Sequence, residues 1–224
     1  MSFVFIDRPD ALAAVDADDL KAGPLALDCE AAGFHRYSDR LCLIQLTTAS
    51  GNSLILDPLA VDVRDLLHDV LVDPSIEVLM HGSDFDLRLL HRDLGIRLRG
   101  LVDTQAAAAL IGESSLGLAA LLERYLDVRL AKKYQRADWA QRPLPDDMLE
   151  YAASDTRHLH ELVARLNAEL DRRGRVEWAH EEYRELEQIR WEDDGEAEPV
   201  GRLGKARELA PREVARLRTA LEWR

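Results

Sequence analysis

The spacing of apolar residues predicts strands in the first third of the chain. Short apolar runs, many with branched side chains, predict strands at 3–6, 24–30, 41–48 and 53–57. A Gly-Asn pair at 51–52 lies between the last two runs and predicts a turn. This part of the chain therefore has the pattern of a β-meander.

The spacing then changes to one in which helices alternate with strands. It predicts, in chain order, a helix at 63–72, a strand at 76–81, a helix at 85–95, a short strand or turn at 101–104 and a helix at 104–112. Gly95 is placed to end the second of these helices, because glycine readily adopts the left-handed conformation found there.

The rest of the chain is mainly helical by the same criterion. Helices are predicted at 116–126, 147–174, 175–192 and 210–224, the last with Pro211 in its first turn. Strands followed by alternating and then helical segments are typical of a mixed sheet flanked by helices. The predicted fold class is therefore α/β, with a helical extension at the carboxyl end.

The bulk composition is that of a globular chain with one main domain. The 224 residues are 47% apolar and 32% charged, which is enough for a sizeable core. An acidic run with Pro and Gly at 192–201 predicts a linker. It divides the chain into a domain at 1–191, that linker, and a carboxyl-terminal helical segment at 202–224.

The sequence indicates a cytoplasmic protein that does not span a membrane. No uncharged apolar stretch reaches the roughly 18 residues of a transmembrane helix. The first ten residues lack the basic region, apolar run and cleavage site of a signal peptide. Cys29 and Cys42 lie inside apolar runs and are not spaced like metal-binding pairs, so we expect buried free thiols.

The charge distribution bears on nucleic-acid binding. A net charge of −13 argues against binding of duplexes by counterion release, which usually requires a basic protein. Basic side chains are nevertheless concentrated after Arg202 and in the island 129–142. An acidic enzyme can act on nucleic acid when bound cations neutralise its site and a basic strip holds the backbone.

Asp28 and Glu30 are the first candidate metal ligands. Residues two apart on a strand point to the same face, so the two carboxylates stand side by side and Cys29 faces the opposite layer. A hard divalent cation such as Mg²⁺ or Mn²⁺ removes the repulsion between such carboxylates. A solvated strand end accounts for this short motif equally well.

Two further carboxylate motifs follow. The segment after His81 contains Asp84 and Asp86 about 200° apart on a helix, so only one can face a given site, and helix capping suits Asp84 better. Tyr151 and Asp155 share a helix face at i and i+4, and the small residues between them permit close packing. A partly buried Tyr beside a surface Asp is the alternative.

The ordered set of motifs resembles the exonucleases of the DEDD superfamily, in the branch that has tyrosine in the third motif. Within that branch the chain is similar to ribonuclease D over roughly residues 20 to 170. The similarity includes LALDCE, LCLIQL, DPLA, HGSDFDL, VDTQ, KKYQRADWAQRPL and EYAASD. In the family pattern the second-motif Asp stands five residues after the His and before a Leu, which selects Asp86.

The resemblance implies a ribonuclease H-like fold and hydrolysis assisted by two divalent cations, Mg²⁺ or Mn²⁺. Asp28, Glu30 and Asp155 would hold one ion, and Asp28 would bridge to a second ion that Asp86 reaches directly or through water. Tyr151 would position the nucleophilic water. Two cations can stabilise the charge on both the entering and the leaving oxygen of a phosphodiester.

Six further residues are candidate substrate contacts, namely Gln45, His81, Lys132, Lys133, Arg136 and Trp139. The basic side chains suit backbone phosphates, and Trp139 suits base stacking. The alternatives are a solvated basic loop and a tryptophan packed in the core. His81 is better suited to a structural imidazole than to a metal ligand, because hard cations prefer oxygen.

The expected activity is 3′→5′ exonucleolytic hydrolysis of RNA, with trimming of structured RNAs such as transfer-RNA precursors and release of 5′-mononucleotides. The RNA preference comes from the resemblance alone. The alternatives are a DNA exonuclease of the same superfamily and a non-catalytic nucleic-acid-binding module. The carboxyl-terminal segment looks like the start of a helical domain shared with helicases, and no obligate protein partner is evident.

Overall fold

A single mixed sheet organises the first 191 residues. The computed structural model describes residues 3–33, 39–130, 133–192 and 208–223. Within these ranges six strands pair: β1 (Phe3–Ile6), β2 (Leu25–Ala31), β3 (Leu41–Thr47), β4 (Ser53–Leu56), β5 (Val78–Met80) and β6 (Leu101–Asp103). Their order across the sheet is β1-β4-β3-β2-β5-β6.

The strand directions follow from the connections. β2, β3 and β4 form the expected antiparallel meander. β1 pairs parallel with β4, β5 with β2 and β6 with β5, and helical segments lie between the strands of each parallel pair. The predicted α/β class with a mixed sheet is confirmed.

Nine helices accompany the sheet in the described part of residues 1–191. They are α1 (Pro9–Ala13), α2 (Ala17–Lys21), α3 (Arg64–Leu71), α4 (Asp84–Leu89, continued by a π turn over Leu90–Leu94), α5 (Thr104–Leu110), α6 (Leu118–Leu126), α7 (Asp146–Arg157), α8 (Leu159–Arg172) and α9 (Val176–Leu186). The sequence analysis missed α1 and α2, which are only five residues long. The long helix predicted at 147–174 is two helices, because the backbone leaves helical geometry at His158.

The sheet has a separate apolar core on each face. Leu25 and Leu27 of β2 contribute to the core beneath α3 and α4, and Cys29 packs against the same core. On the other face α7 lies across β2, β3 and β4. Both cysteines are free thiols, as predicted, although Cys29 is only partly buried. The alternation along β2 therefore turns Asp28 and Glu30 toward α7.

The carboxyl-terminal segment is a separate compact unit. Residues 1–191 form one unit and residues 192–224 the other. The second contains α10 (Pro211–Trp223), which begins at the proline that the sequence analysis placed in the first turn. The predicted linker at 192–201 lies almost entirely outside the described residues. Among the described helices, none is long and apolar enough to span a membrane.

A buried ion pair fastens the segment before α7 to the sheet. The guanidinium of Arg142 donates to both carboxylate oxygens of the buried Asp57, at 2.6 and 2.8 Å. It also donates to the carbonyls of Cys42 and Trp139, at 3.0 and 2.7 Å. This two-pronged geometry ties the residues that precede α7 to β3 and to the end of β4.

Breaking this pair is expected to destabilise the domain strongly. Arg142→Met should lower the free energy of unfolding by about 3–5 kcal/mol, because it leaves the buried Asp57 carboxylate without its cation. Urea denaturation followed by circular dichroism measures the change. The matched control is Arg172→Met, which removes the exposed pair with Glu169 and should leave the free energy of unfolding nearly unchanged, because solvent screens such a pair. Equal losses in the two variants would contradict this assignment.

Candidate active site

Helix α7 brings two side chains over the acidic end of β2. Ala152 and Ala153 are fully buried, so the helix backbone lies close against the sheet. Tyr151 and Asp155, one turn apart on α7, then reach the face of β2 that carries Asp28 and Glu30. The small residues noted in the sequence are thus the reason that a helix and a strand can share one site.

Three carboxylates meet at this point. One oxygen from each of Asp28, Glu30 and Asp155 lies within 4.8 Å of the other two. Such a spacing matches the oxygen-rich first shell that a hard divalent cation takes from a protein. The structure therefore brings together ligands from the first and third motifs.

Asp86 provides the fourth carboxylate, from α4. It is buried, whereas Asp84 on the same helix is exposed and pairs with Arg88 at 2.9 Å. Burial and then repulsion from Asp28 raise the pKa of the Asp86 carboxyl. Asp28, Glu30, Asp86 and Asp155 are called the acid cluster below.

Burial makes the acid cluster costly to ionise. It raises the pKa of Asp28 to about 7, and burial together with the neighbouring Asp28 raises the pKa of Asp155 to about 8. The pKa values of Glu30 and Asp86 are also raised well above their usual range, first by burial and then by repulsion from Asp28. Asp86 is buried and the other three carboxylates are partly buried, and a bound cation would relieve both the desolvation and the repulsion of such like charges.

Tyr151 is held by two other aromatic rings. Its ring centroid lies 5.8 Å from that of Tyr134, in an edge-on arrangement, and 6.2 Å from that of Trp139. Burial and the charges of Asp155, Glu30 and Asp28 raise the pKa of the phenol. Tyr151 therefore stays protonated near neutral pH and presents an O–H donor beside the carboxylates.

Two cavities flank the acid cluster and share one residue. The first, about 450 Å³, is lined by Asp28, Asp155, Tyr151, His81, Leu130, Gln135 and the start of α6 at 117–120. The second, about 440 Å³, is lined by Glu30, Phe85, Gln135 and Trp139 among others. A cleft that continues on both sides of the carboxylates suits a chain-like substrate.

The predicted substrate contacts differ in whether they reach the cavities beside the acid cluster. His81 lines the first cavity, with its Nδ1 2.9 Å from the hydroxyl of Thr104, and burial lowers its pKa so that it stays neutral. Gln45 lies opposite Asp28 in the sheet but has no exposed surface. Trp139 packs in the core, which was the alternative for this residue. Gln45 therefore has no surface available for direct contact with a substrate, whereas Trp139 presents only a 2% exposed edge to the second cavity.

Part of the basic island at 129–142 is paired with acidic side chains of the same chain. Lys133 pairs with Asp147 at 2.8 Å, and the hydroxyl of Tyr134 donates to the same carboxylate. Arg136 is exposed, and Lys132 lies outside the described residues. Phosphate binding by these side chains stays a prediction, with Lys133 already paired to an acid.

The sequence analysis did not single out Phe85 or Gln135, although both line the cleft. Gln135 belongs to the segment KKYQRADWAQRPL, which resembles ribonuclease D. That resemblance was the one feature of the sequence that could have indicated a site residue here. Phe85 lies between Asp84 and Asp86, and the sequence analysis asked only which of these two acids is the metal ligand. Its exposed fraction, 43%, is unusual for a large apolar side chain beside a buried cluster.

Comparison with known proteins identifies the family. A family model described as a 3′–5′ exonuclease matches residues 3–171. The chain belongs to this family. The resemblance to ribonuclease D that the motifs indicated is confirmed by a curated relative, ribonuclease D of Escherichia coli strain K12. It is 34% identical over 226 residues, which cover 100% of this chain and 60% of that protein.

Solved structures of exonuclease family relatives share the fold. The catalytic core of RRP6 from Trypanosoma brucei aligns with a TM-score of 0.83 at 30% identity, covering 99% of this chain and 63% of that one. E. coli RNase D aligns with a TM-score of 0.80 at 32% identity, covering 100% and 60%. These neighbours confirm the ribonuclease H-like fold. The chain spans about three fifths of the length of these relatives.

A further exonuclease neighbour bears on the cofactor. Brucella melitensis NrnC with bound Mg²⁺ aligns with a TM-score of 0.71 at 29% identity, covering 84% of this chain and 90% of that one. A Mg²⁺-bound neighbour and an acid cluster in this chain agree with the expectation of a divalent cation.

The acid cluster of this exonuclease family member is expected to oppose folding when no metal is bound. Because the folded chain raises the pKa of Asp155 to about 8, ionisation costs stability as the pH rises from about 4 to about 8. With chelator present, Asp155→Asn should therefore increase the free energy of unfolding by about 1–3 kcal/mol at alkaline pH. The gain should shrink steadily toward about pH 4.

Urea denaturation with chelator across that pH range measures the effect, and Asp171→Asn, which neutralises an exposed acid of α8, serves as the control. Adding MgCl₂ should reverse the order, since the cation stabilises the wild type more than the variant. A wild type that is the more stable of the two at alkaline pH without metal would contradict the repulsion.

Proposed function

We propose that this chain is a metal-dependent exoribonuclease that removes 5′-mononucleotides from the 3′ end of RNA. The observation that carries the proposal is the meeting of three carboxylates within 4.8 Å, in a cleft and on a fold shared with exonucleases. Because the chain spans about three fifths of its curated relatives, its activity and substrates rest on this site rather than on their names.

The acid cluster fits two divalent cations, Mg²⁺ or Mn²⁺. Asp28, Glu30 and Asp155 would hold one ion, while Asp28 and Asp86 would hold the other. When bound, the ions neutralise the buried carboxylates and stabilise negative charge on the attacking and leaving oxygens of the phosphodiester. The raised pKa values of the four carboxyl groups fit this arrangement, since each is costly to ionise without a cation.

Tyr151 orients the attacking water. Its phenol is protonated, lies on the same helix face as Asp155 and lines the cavity that contains Asp28. The rings of Tyr134 and Trp139 pack beside it, at centroid distances of 5.8 and 6.2 Å. A fixed O–H donor beside the carboxylates is suited to holding a water for in-line attack.

Structured RNA is the proposed substrate class, with transfer-RNA precursors as an example. The E. coli relative is described as an exoribonuclease involved in structured RNA processing, which supports RNA over DNA. We assign the nuclease activity to residues 1–191, with 192–201 as a linker and 202–224 as the start of a further helical segment. The family match ends at residue 171, inside the proposed nuclease domain.

The decisive test is degradation of matched 5′-labelled single-stranded RNA and DNA with Mg²⁺, Mn²⁺ or chelator. The wild type should give a metal-dependent 3′→5′ ladder and cut RNA faster than DNA. Asp155→Ala should give no ladder. Tyr151→Phe keeps the ring contacts but removes the O–H donor, and it should lower kcat by about 10²–10⁴-fold.

Asp171→Asn is the matched control and should keep wild-type rates. A folded wild type that gives no ladder on either substrate with excess metal would overturn the enzymatic function and favour a binding module. Faster cutting of DNA would instead establish a DNA exonuclease.

Phe85 is the proposed stacking surface for a base of the substrate. Its ring is exposed on the wall of the cavity that also contains Glu30, so a nucleotide near the acid cluster passes over it. Stacking of a base on an aromatic ring tolerates any sequence, as an exonuclease requires. The adjacent acids do not oppose this contact, because the face of a base is uncharged.

Phe85→Ala should weaken binding of single-stranded RNA by about 5- to 100-fold. Fluorescence anisotropy of labelled oligoadenylate, measured with Ca²⁺ in the Asp155→Asn background so that no cutting occurs, gives the Kd. Trp178→Ala, which removes an aromatic residue of 55% exposure from α9, is the control and should not change it. Equal affinities for both variants would exclude stacking on Phe85.

A further inference from the structure

Asp103, at the end of β6, is a buried carboxylate with an unusual number of donors. Its exposed fraction is 1%, and it accepts four backbone N–H bonds. Oδ1 accepts from Gly82, Gln105 and Ala106, at 3.1, 2.8 and 3.1 Å, whereas Oδ2 accepts only from Ser83, at 2.7 Å. One side chain thus satisfies donors from two separate segments.

The two segments have different functions in the fold. Gln105 and Ala106 form the first turn of α5, so Asp103 is the amino-terminal cap of that helix. Gly82 and Ser83 form the turn that leaves β5. Met80, the last residue of β5, is paired with Asp103 across the two parallel strands. The carboxylate therefore joins the end of β5 to the end of β6.

The turn that Asp103 holds leads directly to Asp86. The carbonyl of Ser83 accepts the N–H of Leu87 at 2.9 Å, which closes the first turn of α4, and Asp86 lies within that turn. The side chain of Ser83 forms no cap, and its hydroxyl has no hydrogen-bond partner among the described residues. The short bond from Ser83 N–H to Oδ2 is the contact that fixes where α4 begins.

The residue after Asp103 holds the rest of the same turn. The Thr104 hydroxyl donates to the carbonyl of Met80 at 3.0 Å and lies 2.9 Å from the imidazole of His81. Residues 80 to 83 are therefore anchored one after another to 103 and 104. This anchoring explains why a loop between a strand and a short helix can deliver a ligand to a defined place.

We propose that Asp103 is a positioning residue for Asp86, acting through Ser83 to set the distance between Asp86 and Asp28. The inference rests on the proposed metal-dependent function. Asp103 does not touch the metal or the RNA. Its carboxylate fixes the start of α4, and α4 carries the only ligand in the acid cluster that comes from outside β2 and α7.

The asymmetry of the four bonds permits a selective variant. In Asp103→Asn the amide oxygen can keep the three bonds of Oδ1, including the cap of α5. The amide nitrogen then takes the place of Oδ2 and opposes the N–H of Ser83, since both are donors. Asp103→Ser tests the same bond in a second way. Serine keeps one side-chain oxygen, which can cap α5, but it has no second oxygen to accept the N–H of Ser83.

Calorimetric titration with MnCl₂ is the test, with circular dichroism to confirm folding. Asp103→Asn and Asp103→Ser should each weaken Mn²⁺ binding by about 10- to 100-fold, as loss of a residue that orients a ligand does elsewhere. Asp86→Asn should weaken binding at least as much. Asp16→Asn replaces a matched capping carboxylate on α2, a helix without site residues, and should leave binding unchanged.

The outcomes separate this inference from the proposed function. Wild-type Mn²⁺ affinity in folded Asp103→Asn and Asp103→Ser would overturn the positioning role while leaving the metal site intact. Absence of Mn²⁺ binding by the folded wild type would overturn the metal site itself. If Asp103→Asn does not fold, Asp103→Ser decides the matter, since serine retains an oxygen that caps α5 and places no amide nitrogen opposite the N–H of Ser83.

Discussion

Repulsion among partly buried carboxylates is the constraint on which the rest of the active-site region depends. Asp28 and Glu30 on one strand face Asp155 from a helix packed across it, and each is costly to ionise there. Such an arrangement lowers the stability of a metal-free chain, so other contacts must hold the strand and the helix together. The same repulsion favours binding of a divalent cation, because the bound cation removes it.

The contacts that oppose this repulsion lie around the ends of the elements that carry the ligands. Alanines let α7 approach the sheet, and the Arg142–Asp57 pair ties the segment before α7 to the end of β4. At the far end of the site, the Asp103 carboxylate holds the turn before α4. Each ligand-bearing element is thus fixed by polar groups or close packing that does not itself reach the cleft, which is how a rigid site is assembled.

The site was more predictable from the sequence than its surroundings were. Period-two alternation places Asp28 and Glu30 on one face, and the i, i+4 spacing places Tyr151 with Asp155; both rules are local and survive folding. The burial of Gln45, the core position of Trp139 and the pairing of Lys133 with Asp147 depend on tertiary contacts, which no local pattern encodes. The break at His158 was missed because both flanking segments have the same helical periodicity.

The acidic composition limits how the chain can attract a nucleic acid. A chain of net charge −13 repels RNA at long range, and several cations of its basic island are already paired with acids of the same chain. Under the proposed function, recognition depends on short-range terms, namely cations held by the acid cluster and stacking on rings such as Phe85. Both terms act on features that every RNA sequence shares, the phosphodiester and the face of a base. The proposed activity is therefore expected to be insensitive to the sequence of the RNA.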